Sequence, residues 1–197
     1  RYAVIDRLMC GKMCGLASWS VLSRSKSQVT LAMAPPRIQS AAMQALPRRL
    51  SRHLSLARLI HSDTAKARGI DNRPPPELVD NLRRLARGLD RVRSLLGHPL
   101  EISSGYRSPE LNAAVGGTPG SQHTQGLAAD FVCPPFGTPM EVARAIVASD
   151  IVFDQCILEF GRWVHLSFSE APRRRALTIH DSREGYLEGL VERVSAP

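Results

Sequence analysis

Two histidines and one aspartate are the residues best suited to chemistry. His123 and Asp130 lie seven residues apart in the stretch Ser121-Gln122-His123-Thr124-Gln125-Gly126-Leu127-Ala128-Ala129-Asp130, and His165 follows in Trp163-Val164-His165-Leu166-Ser167. Two imidazoles and a carboxylate form a three-ligand zinc set that leaves a fourth position for water, which is typical of a catalytic site. Because six histidines are present, such a trio also arises by chance, and spacing alone leaves the metal interpretation open.

Short β-type runs must position these three side chains. The runs cover residues 100–103, 127–133, 155–160 and 163–169. A strand that begins near Gly126 directs Asp130 to one face of a sheet, while His123 reaches back from the preceding loop past small residues. The last two runs are separated by Gly161-Arg162 and predict a hairpin with His165 in its second strand.

Helical patterns surround these runs. Apolar residues recur at spacings of four and three from Leu78 to Leu96 and predict a helix that packs one face on a core and ends at Gly97. The capping box Thr138-Pro139-Met140-Glu141 opens a second helix, and residues 54–67 favour a shorter one. The order predicts an α+β domain: a small antiparallel β-sheet with helices packed to one side and the metal site at the sheet face.

Two compound motifs extend the trio. The first is Ser121-x-His123-x-x-Gly126-x-Ala128-x-Asp130 followed by Trp163-Val164-His165, and the second is Ser104-Gly105-Tyr106-Arg107-Ser108-Pro109-Glu110-Leu111-Asn112. Together they resemble the zinc D-Ala-D-Ala carboxypeptidases and the related phage and bacterial cell-wall endopeptidases. The resemblance covers about residues 50–169.

This resemblance implies a role for each matching residue. One zinc ion is expected on His123, Asp130 and His165, and Arg107 is expected to act in catalysis by holding a substrate carbonyl or carboxylate. Ser121 is expected to support the site. The predicted substrate-binding residues are Arg107, Ser121, Tyr106 and Trp163; for the two aromatic residues, core packing is the alternative.

The general base is less clear, because this chain departs from many relatives. They carry an acidic residue three positions before the last histidine ligand, where this chain has Arg162. Glu159 is the nearest acid. A two-residue turn would pair it with Val164 and face it away from His165, whereas a three-residue or bulged turn pairs it with Trp163 on the ligand face.

We predict the longer turn, with Glu159 as the base. A surface position in the hairpin is the alternative for Glu159. Asp154 and Glu170 are weaker substitutes.

The resemblance implies a zinc-dependent hydrolase that cleaves D-amino-acid-containing peptide bonds with metal-activated water. The expected partner is a peptidoglycan stem peptide or its precursor. Carboxypeptidase and endolysin-like cell-wall endopeptidase activities both remain open. The alternative is a non-catalytic zinc-containing cell-wall-binding module, which the departure at Arg162 leaves open.

Charge and composition divide the chain. Residues 1–58 contain 10 Lys and Arg against one acidic residue, whereas residues 59–197 contain 16 against 17. The second segment therefore lacks the net positive charge of a nucleic-acid-binding face, and no nucleic-acid partner is predicted. Residues 1–49 are interpreted as a disordered or spurious extension, residues 50–172 as the zinc peptidase domain and residues 173–197 as a basic tail.

Location and assembly are less determined by the sequence. No run reaches the roughly 20 apolar residues of a membrane span, so stable membrane insertion is not expected. An exported enzyme would work in the periplasm or cell envelope, and a phage-derived one would stay cytoplasmic before lysis. A monomer is expected, because no heptad or exposed apolar stripe is visible.

Overall fold

A computed structural model describes residues 46–193. The helices are α1 (Leu56–Ile60), α2 (Asp63–Arg68), α3 (Val79–Leu96), α4 (Pro109–Ala114) and α5 (Pro139–Ala148), with a 3-10 turn at Pro76–Leu78. The strands are β1 (Glu101–Ser104), β2 (Ala128–Val132), β3 (Gln155–Glu159), β4 (Trp163–Ser167), β5 (Arg175–Ile179) and β6 (Leu187–Glu188). The extension predicted at residues 1–49 lies almost wholly outside the described residues.

The six strands form one open sheet in the order β1-β2-β4-β3-β5-β6. All neighbours are antiparallel except β3 and β5, which are parallel. The α+β class is therefore confirmed, with the correction that the sheet is mixed. Strand β4 runs antiparallel to β3 on one side of it. The chain then passes β3 and reverses direction again, so β5 lies on the other side of β3 and runs parallel to it.

Helices α3 and α5 cover one face of the sheet. The apolar face of α3 is fully buried at Leu82, Leu85, Leu89 and Val92, together with Phe131 and Val164 from the central strands. Gly97 ends α3 in the left-handed conformation, and its amide donates to the carbonyl of Arg93. The opposite face of the sheet is left for the candidate ligands.

The predicted helix at residues 54–67 is broken in two. Ser62 adopts an extended conformation, and its side chain accepts a hydrogen bond from the amide of Ala65, which starts α2. Helix α4 was not predicted. It begins where Ser108 caps the amide of Leu111 and Pro109 occupies the first helical turn.

The predicted basic tail, residues 173–197, requires correction. Strand β5 pairs with β3 and β6 pairs with β5, so residues 175–188 complete the sheet. Its three consecutive arginines bind protein groups: Arg173 binds the carboxylate of Asp154, Arg174 donates to backbone carbonyls at the end of α5 and beyond it, and Arg175 binds Glu188.

The described residues show three other features. Leu46 packs against the core and the carbonyl of Arg48 accepts from the amide of Leu56, so residues just before position 50 also pack on the domain. Cys133 and Cys156 are buried free thiols. Within residues 46–193, no helix combines the length and apolar character needed to cross a membrane.

Candidate metal centre

The sheet places two candidate ligands side by side. Asp130 in β2 and His165 in β4 are direct cross-strand partners. Directly opposed residues project from the same face of a sheet, so the carboxylate and the imidazole lie together. His123 reaches them from the loop that precedes β2, as the sequence predicted.

The three donor atoms converge closely. His123 Nε2 lies 3.1 Å from Asp130 Oδ1 and 3.1 Å from His165 Nδ1, and His165 Nδ1 lies 2.9 Å from Asp130 Oδ1. Donors about 2.0–2.2 Å from a tetrahedral zinc ion lie roughly 3.3–3.6 Å apart. The observed separations come within a few tenths of an ångström of that spacing. The three groups therefore fit a single zinc ion.

The hydrogen bonds of His123 identify the atom that is free to bind a cation. His123 Nδ1 lies 2.6 Å from the carbonyl oxygen of Gly105. Because a carbonyl only accepts, Nδ1 carries the proton, and in the neutral ring Nε2 presents a lone pair to the carboxylate. Two acceptors 3.1 Å apart repel each other unless a proton or a metal ion lies between them.

Burial disfavours the proton. The side chains of His123, Asp130 and His165 are 3%, 7% and 10% exposed. Burial lowers the pKa of His123, although the neighbouring Asp130 carboxylate opposes this shift. A neutral imidazole beside an ionised carboxylate is the state that binds zinc, so the donor chemistry as well as the geometry suits a metal.

Asp130 connects the trio to Arg107. Oδ1 faces the two histidines, while Oδ2 accepts a 2.6 Å hydrogen bond from Arg107 NH2. Burial opposes ionisation of this carboxyl, but its contacts with His123 and His165 outweigh burial and hold the pKa of Asp130 well below its usual range. These contacts therefore favour the ionised form of this candidate ligand.

Ser104 fixes the guanidinium of Arg107. Ser104 Oγ accepts from Arg107 Nε at 2.8 Å, and Ser104 is the β1 residue that pairs with Asp130. These bonds use Nε and NH2, and within the described residues NH1 makes no hydrogen bond. The structure places Arg107 at the site; its contact with substrate stays a prediction. The role of Ser104 was not assigned from sequence, although Ser104 opens the motif that contains Arg107.

A tight turn positions His123 next to the other two candidate ligands. The carbonyl of Ser121 accepts from the amide and hydroxyl of Thr124, and Ser121 Oγ accepts from the amide of His123 at 3.4 Å. Gly126 has φ +68°, a left-handed conformation that glycine adopts without strain. Ser121 therefore shapes the turn that carries the ligand. A direct contact between Ser121 and substrate stays a prediction.

Glu159 lies on the ligand face. It pairs with Trp163, so Phe160, Gly161 and Arg162 form the three-residue turn predicted from the sequence. Phe160 and Gly161 have φ of 55° and 66°, and the amide of Arg162 donates to the carbonyl of Glu159. Trp163 lies two residues before His165 in β4, which puts Glu159 and His165 on one face.

The environment of Glu159 suits a proton acceptor. Trp163 Nε1 donates to Glu159 Oε2 at 3.0 Å, while Oε1 makes no hydrogen bond within the described residues. Burial raises the pKa of Glu159, and this outweighs the opposing effect of His165. Trp163 also packs against Phe160, with ring centroids 5.4 Å apart. The role of Glu159 as base stays a prediction.

The substitute bases lie elsewhere. The carboxylate of Asp154 is 2% exposed and bound by Arg173 and Gln122, and Glu170 is 82% exposed and pairs with Arg84. Tyr106 also requires correction as a substrate-binding residue. It is 3% exposed and belongs to the hydrophobic core, which agrees with the packing alternative.

Tyr186 was not singled out from the sequence. Partial burial, followed by the negative charges of Glu159 and Asp130, raises the pKa of Tyr186, although more than half of the residue is exposed. It directly precedes β6, far along the chain from either recognised motif. No periodicity or motif in the sequence singles out Tyr186; only the sheet order brings it near.

Comparison with known families agrees with this geometry. The sequence model of a family described as Peptidase M15 matches residues 52–167. The matched range contains Arg107, His123, Asp130, Glu159 and His165, and it ends before β5 begins. No curated protein matches the chain.

Proposed function

The chain belongs to the peptidase M15 family, and from this premise we propose that it hydrolyses peptide bonds next to D-amino acids in peptidoglycan or its precursors. Peptidases of this family are zinc-dependent. The observation that carries the proposal is the convergence of His123 Nε2, Asp130 Oδ1 and His165 Nδ1 within 3.1 Å of one another.

The three ligands supply what a hydrolytic metal requires. Zinc held there would polarise the peptide carbonyl and lower the pKa of a water molecule to about 7. The chain contributes an anionic ligand oxygen and two imidazoles. Gly105 orients His123 through the bond to Nδ1, and Arg107 orients Asp130 through Oδ2.

Glu159 would move the proton. Its Oε1 accepts the proton of the attacking water as the water oxygen bonds to the carbonyl carbon. The same atom then delivers the proton to the amide nitrogen as the carbon–nitrogen bond breaks, so the carboxylate is regenerated. Trp163 occupies Oε2, which leaves Oε1 as the oxygen available to accept this proton.

Arg107 would hold the substrate. Its guanidinium is fixed by Ser104 and Asp130, and its NH1 group is available for a carbonyl or carboxylate oxygen of the peptide. Because arginine stays charged at any working pH, this contact would not limit the pH range of the enzyme.

The test is hydrolysis of purified peptidoglycan by the full chain, with zinc supplied and then removed by a chelator. We expect soluble fragments only with zinc, and their masses distinguish release of terminal D-Ala from a cut within the stem or cross-bridge. If the folded, zinc-loaded chain releases nothing from peptidoglycan or precursor peptides, the proposal fails.

The non-catalytic wall-binding module is the second candidate, and it rests on Arg162 in place of an acid. The position of Glu159 on the ligand face weighs against it, because a carboxylate is present although the usual position lacks one. Binding of the zinc-loaded chain to peptidoglycan without any hydrolysis would favour this module.

A further inference from the structure

Asp154 is a buried carboxylate that the proposed reaction does not use. Its side chain is 2% exposed. Oδ1 accepts from the backbone amide and Nε of Arg173 at 3.0 and 2.8 Å, and Oδ2 accepts from Arg173 NH2 at 2.6 Å and Gln122 Nε2 at 2.8 Å. With two donors on each oxygen, Asp154 has no capacity left for a proton or a metal, so its function must lie in these bonds.

Gln122 connects Asp154 to the metal site because it directly precedes His123. Its carbonyl accepts from the amides of Gln125 and Leu127, so its backbone is part of the turn that carries the ligand. The side-chain oxygen of Gln122 is buried and has no hydrogen-bond partner in the described structure. The bond from Nε2 to Asp154 is therefore the specific contact that orients this side chain.

Arg173 anchors Asp154 from outside the matched family region. It lies just before β5, and three of its N–H groups donate to the carboxylate of Asp154. Two belong to the guanidinium, which forms a bidentate pair, and the third is the backbone amide. The Arg173 side chain holds the pKa of Asp154 well below its usual range, although burial opposes this. The amide of Asp154 also donates to the carbonyl of Ser167 at the end of β4.

A ligand on a loop needs such anchoring more than one on a strand. Asp130 and His165 are fixed by the ladder between β2 and β4, but His123 precedes β2. Metal sites lose affinity when the groups that orient their ligands are removed, typically by 10–100-fold.

We propose that Asp154 is a positioning residue for the metal centre, which holds Gln122 and thereby the His123 turn against the sheet, with Arg173 as its anchor. The C-terminal segment therefore supports the catalytic face through one buried carboxylate. This inference rests on the proposed metal-binding role of His123.

Zinc affinity, measured by competition with a chromophoric chelator, tests the proposal in the full chain. We expect Gln122→Ala and Arg173→Gln each to weaken zinc binding about tenfold. Arg175→Gln is the matched control, because Arg175 lies two residues further along and pairs with the surface residue Glu188. It should leave zinc affinity unchanged.

The double variant separates positioning from general stabilisation. If Arg173 acts through Asp154 and Gln122, then Arg173→Gln should have no further effect on zinc affinity once Gln122 is alanine. The visible spectrum of the cobalt-substituted protein should change in both single variants, because it reports ligand geometry. Arg173→Lys, which keeps the charge and loses the bidentate bond, should show a smaller loss.

Two outcomes overturn different statements. Zinc affinity within twofold of wild type in Gln122→Ala and Arg173→Gln, or additive losses in the double variant, overturns the positioning role of Asp154. A wild-type chain that is folded and binds no zinc overturns the proposed metal centre itself.

Discussion

At the scale of single residues, the positions of the protons on the three candidate ligands decide what these residues can bind. Gly105 fixes the proton of His123 on Nδ1, and Arg107 occupies the second oxygen of Asp130. The lone pair of His123 Nε2 therefore faces Asp130 Oδ1 at 3.1 Å, and His165 Nδ1 lies 2.9 Å from the same oxygen. A cation between these groups would relieve the repulsion between the imidazole lone pair and the buried carboxylate.

Glu159→Gln tests the base. Glutamine has the same size and still accepts from Trp163, but it cannot take a proton, so kcat should fall about 10²–10⁴-fold. Zinc content should not change, because Glu159 is not among the metal-ligating groups.

Hydrolysis rates and metal analysis of the purified variant measure these two effects. Glu170→Gln is the control, since Glu170 is exposed and pairs with Arg84. A Glu159→Gln enzyme with wild-type kcat would assign the base to another group.

Zinc should also stabilise the fold. A ligand that binds only the native state at about 100 times its Kd contributes about 2.7 kcal/mol, which raises Tm by roughly 5–10 °C in a chain of this size. Thermal unfolding with and without zinc measures this. His123→Ala should abolish the shift, while the exposed His98→Ala should keep it; a shift that survives in His123→Ala would place the ion elsewhere.

At the scale of secondary-structure elements, close packing between the backbone of α1 and the backbone that follows β1 positions the His123 loop. The amide of Tyr106 donates to the carbonyl of Leu59 in α1, and a Cβ on Gly105 would lie 2.3 Å from that carbonyl oxygen. Glycine is therefore required where the chain leaves β1, and its own carbonyl can then reach His123. Gly105 therefore takes part both in the contact with α1 and in the metal site.

Gly105→Ala should consequently disturb both stability and the metal site. We expect a loss of about 3 kcal/mol, at the upper end of overpacking effects, because the obstacle is backbone rather than a movable side chain. Urea unfolding measures the loss, and zinc affinity should fall with it.

Gly120→Ala is the matched control for this glycine. A Cβ at position 120 meets nothing within 4 Å, so this substitution should be neutral. Equal stability of the two variants would contradict the packing argument.

At the scale of the whole molecule, the sheet extends past the end of the region that the family model matches. Strands β5 and β6 follow residue 167, and the bond between Arg173 and Asp154 fastens them to the start of β3. This ion pair, of which only the carboxylate is buried, also makes the stability of the domain depend on pH, because only the ionised carboxylate binds the guanidinium.

Asp154 should contribute to acid unfolding. Its pKa is lowered in the folded protein, so its contribution is fully present above the unfolded value of about 4 and is lost as pH falls below it. Urea unfolding of the zinc-free chain at pH 7, 5, 4 and 3 should show a smaller drop for Asp154→Asn than for wild type. At pH 7 the variant should already be less stable, by about 1–3 kcal/mol. Identical pH profiles would assign acid sensitivity to other carboxylates.

Much of the local structure was determined by the sequence alone. The spacing of apolar residues predicts α3 and its end at Gly97, and the Thr138 capping box predicts α5, because both signals are local. The same holds for the hairpin of β3 and β4. The ligand trio and Arg107 were singled out by compound motifs, which are specific because several residue types must recur at fixed spacing.

Tertiary structure decided what depends on distant pairing. The turn after Glu159 had two possible registers, and the sheet selected the one that pairs Glu159 with Trp163. Residues 173–197 were interpreted as a basic tail, because Asp154, the partner of Arg173, lies 19 residues earlier and no local pattern connects them. Tyr186 shows the same limit. The sequence alone determines the types of side chain and the local spacing of apolar residues. Which partner a buried charge binds depends on the order of the strands in the sheet.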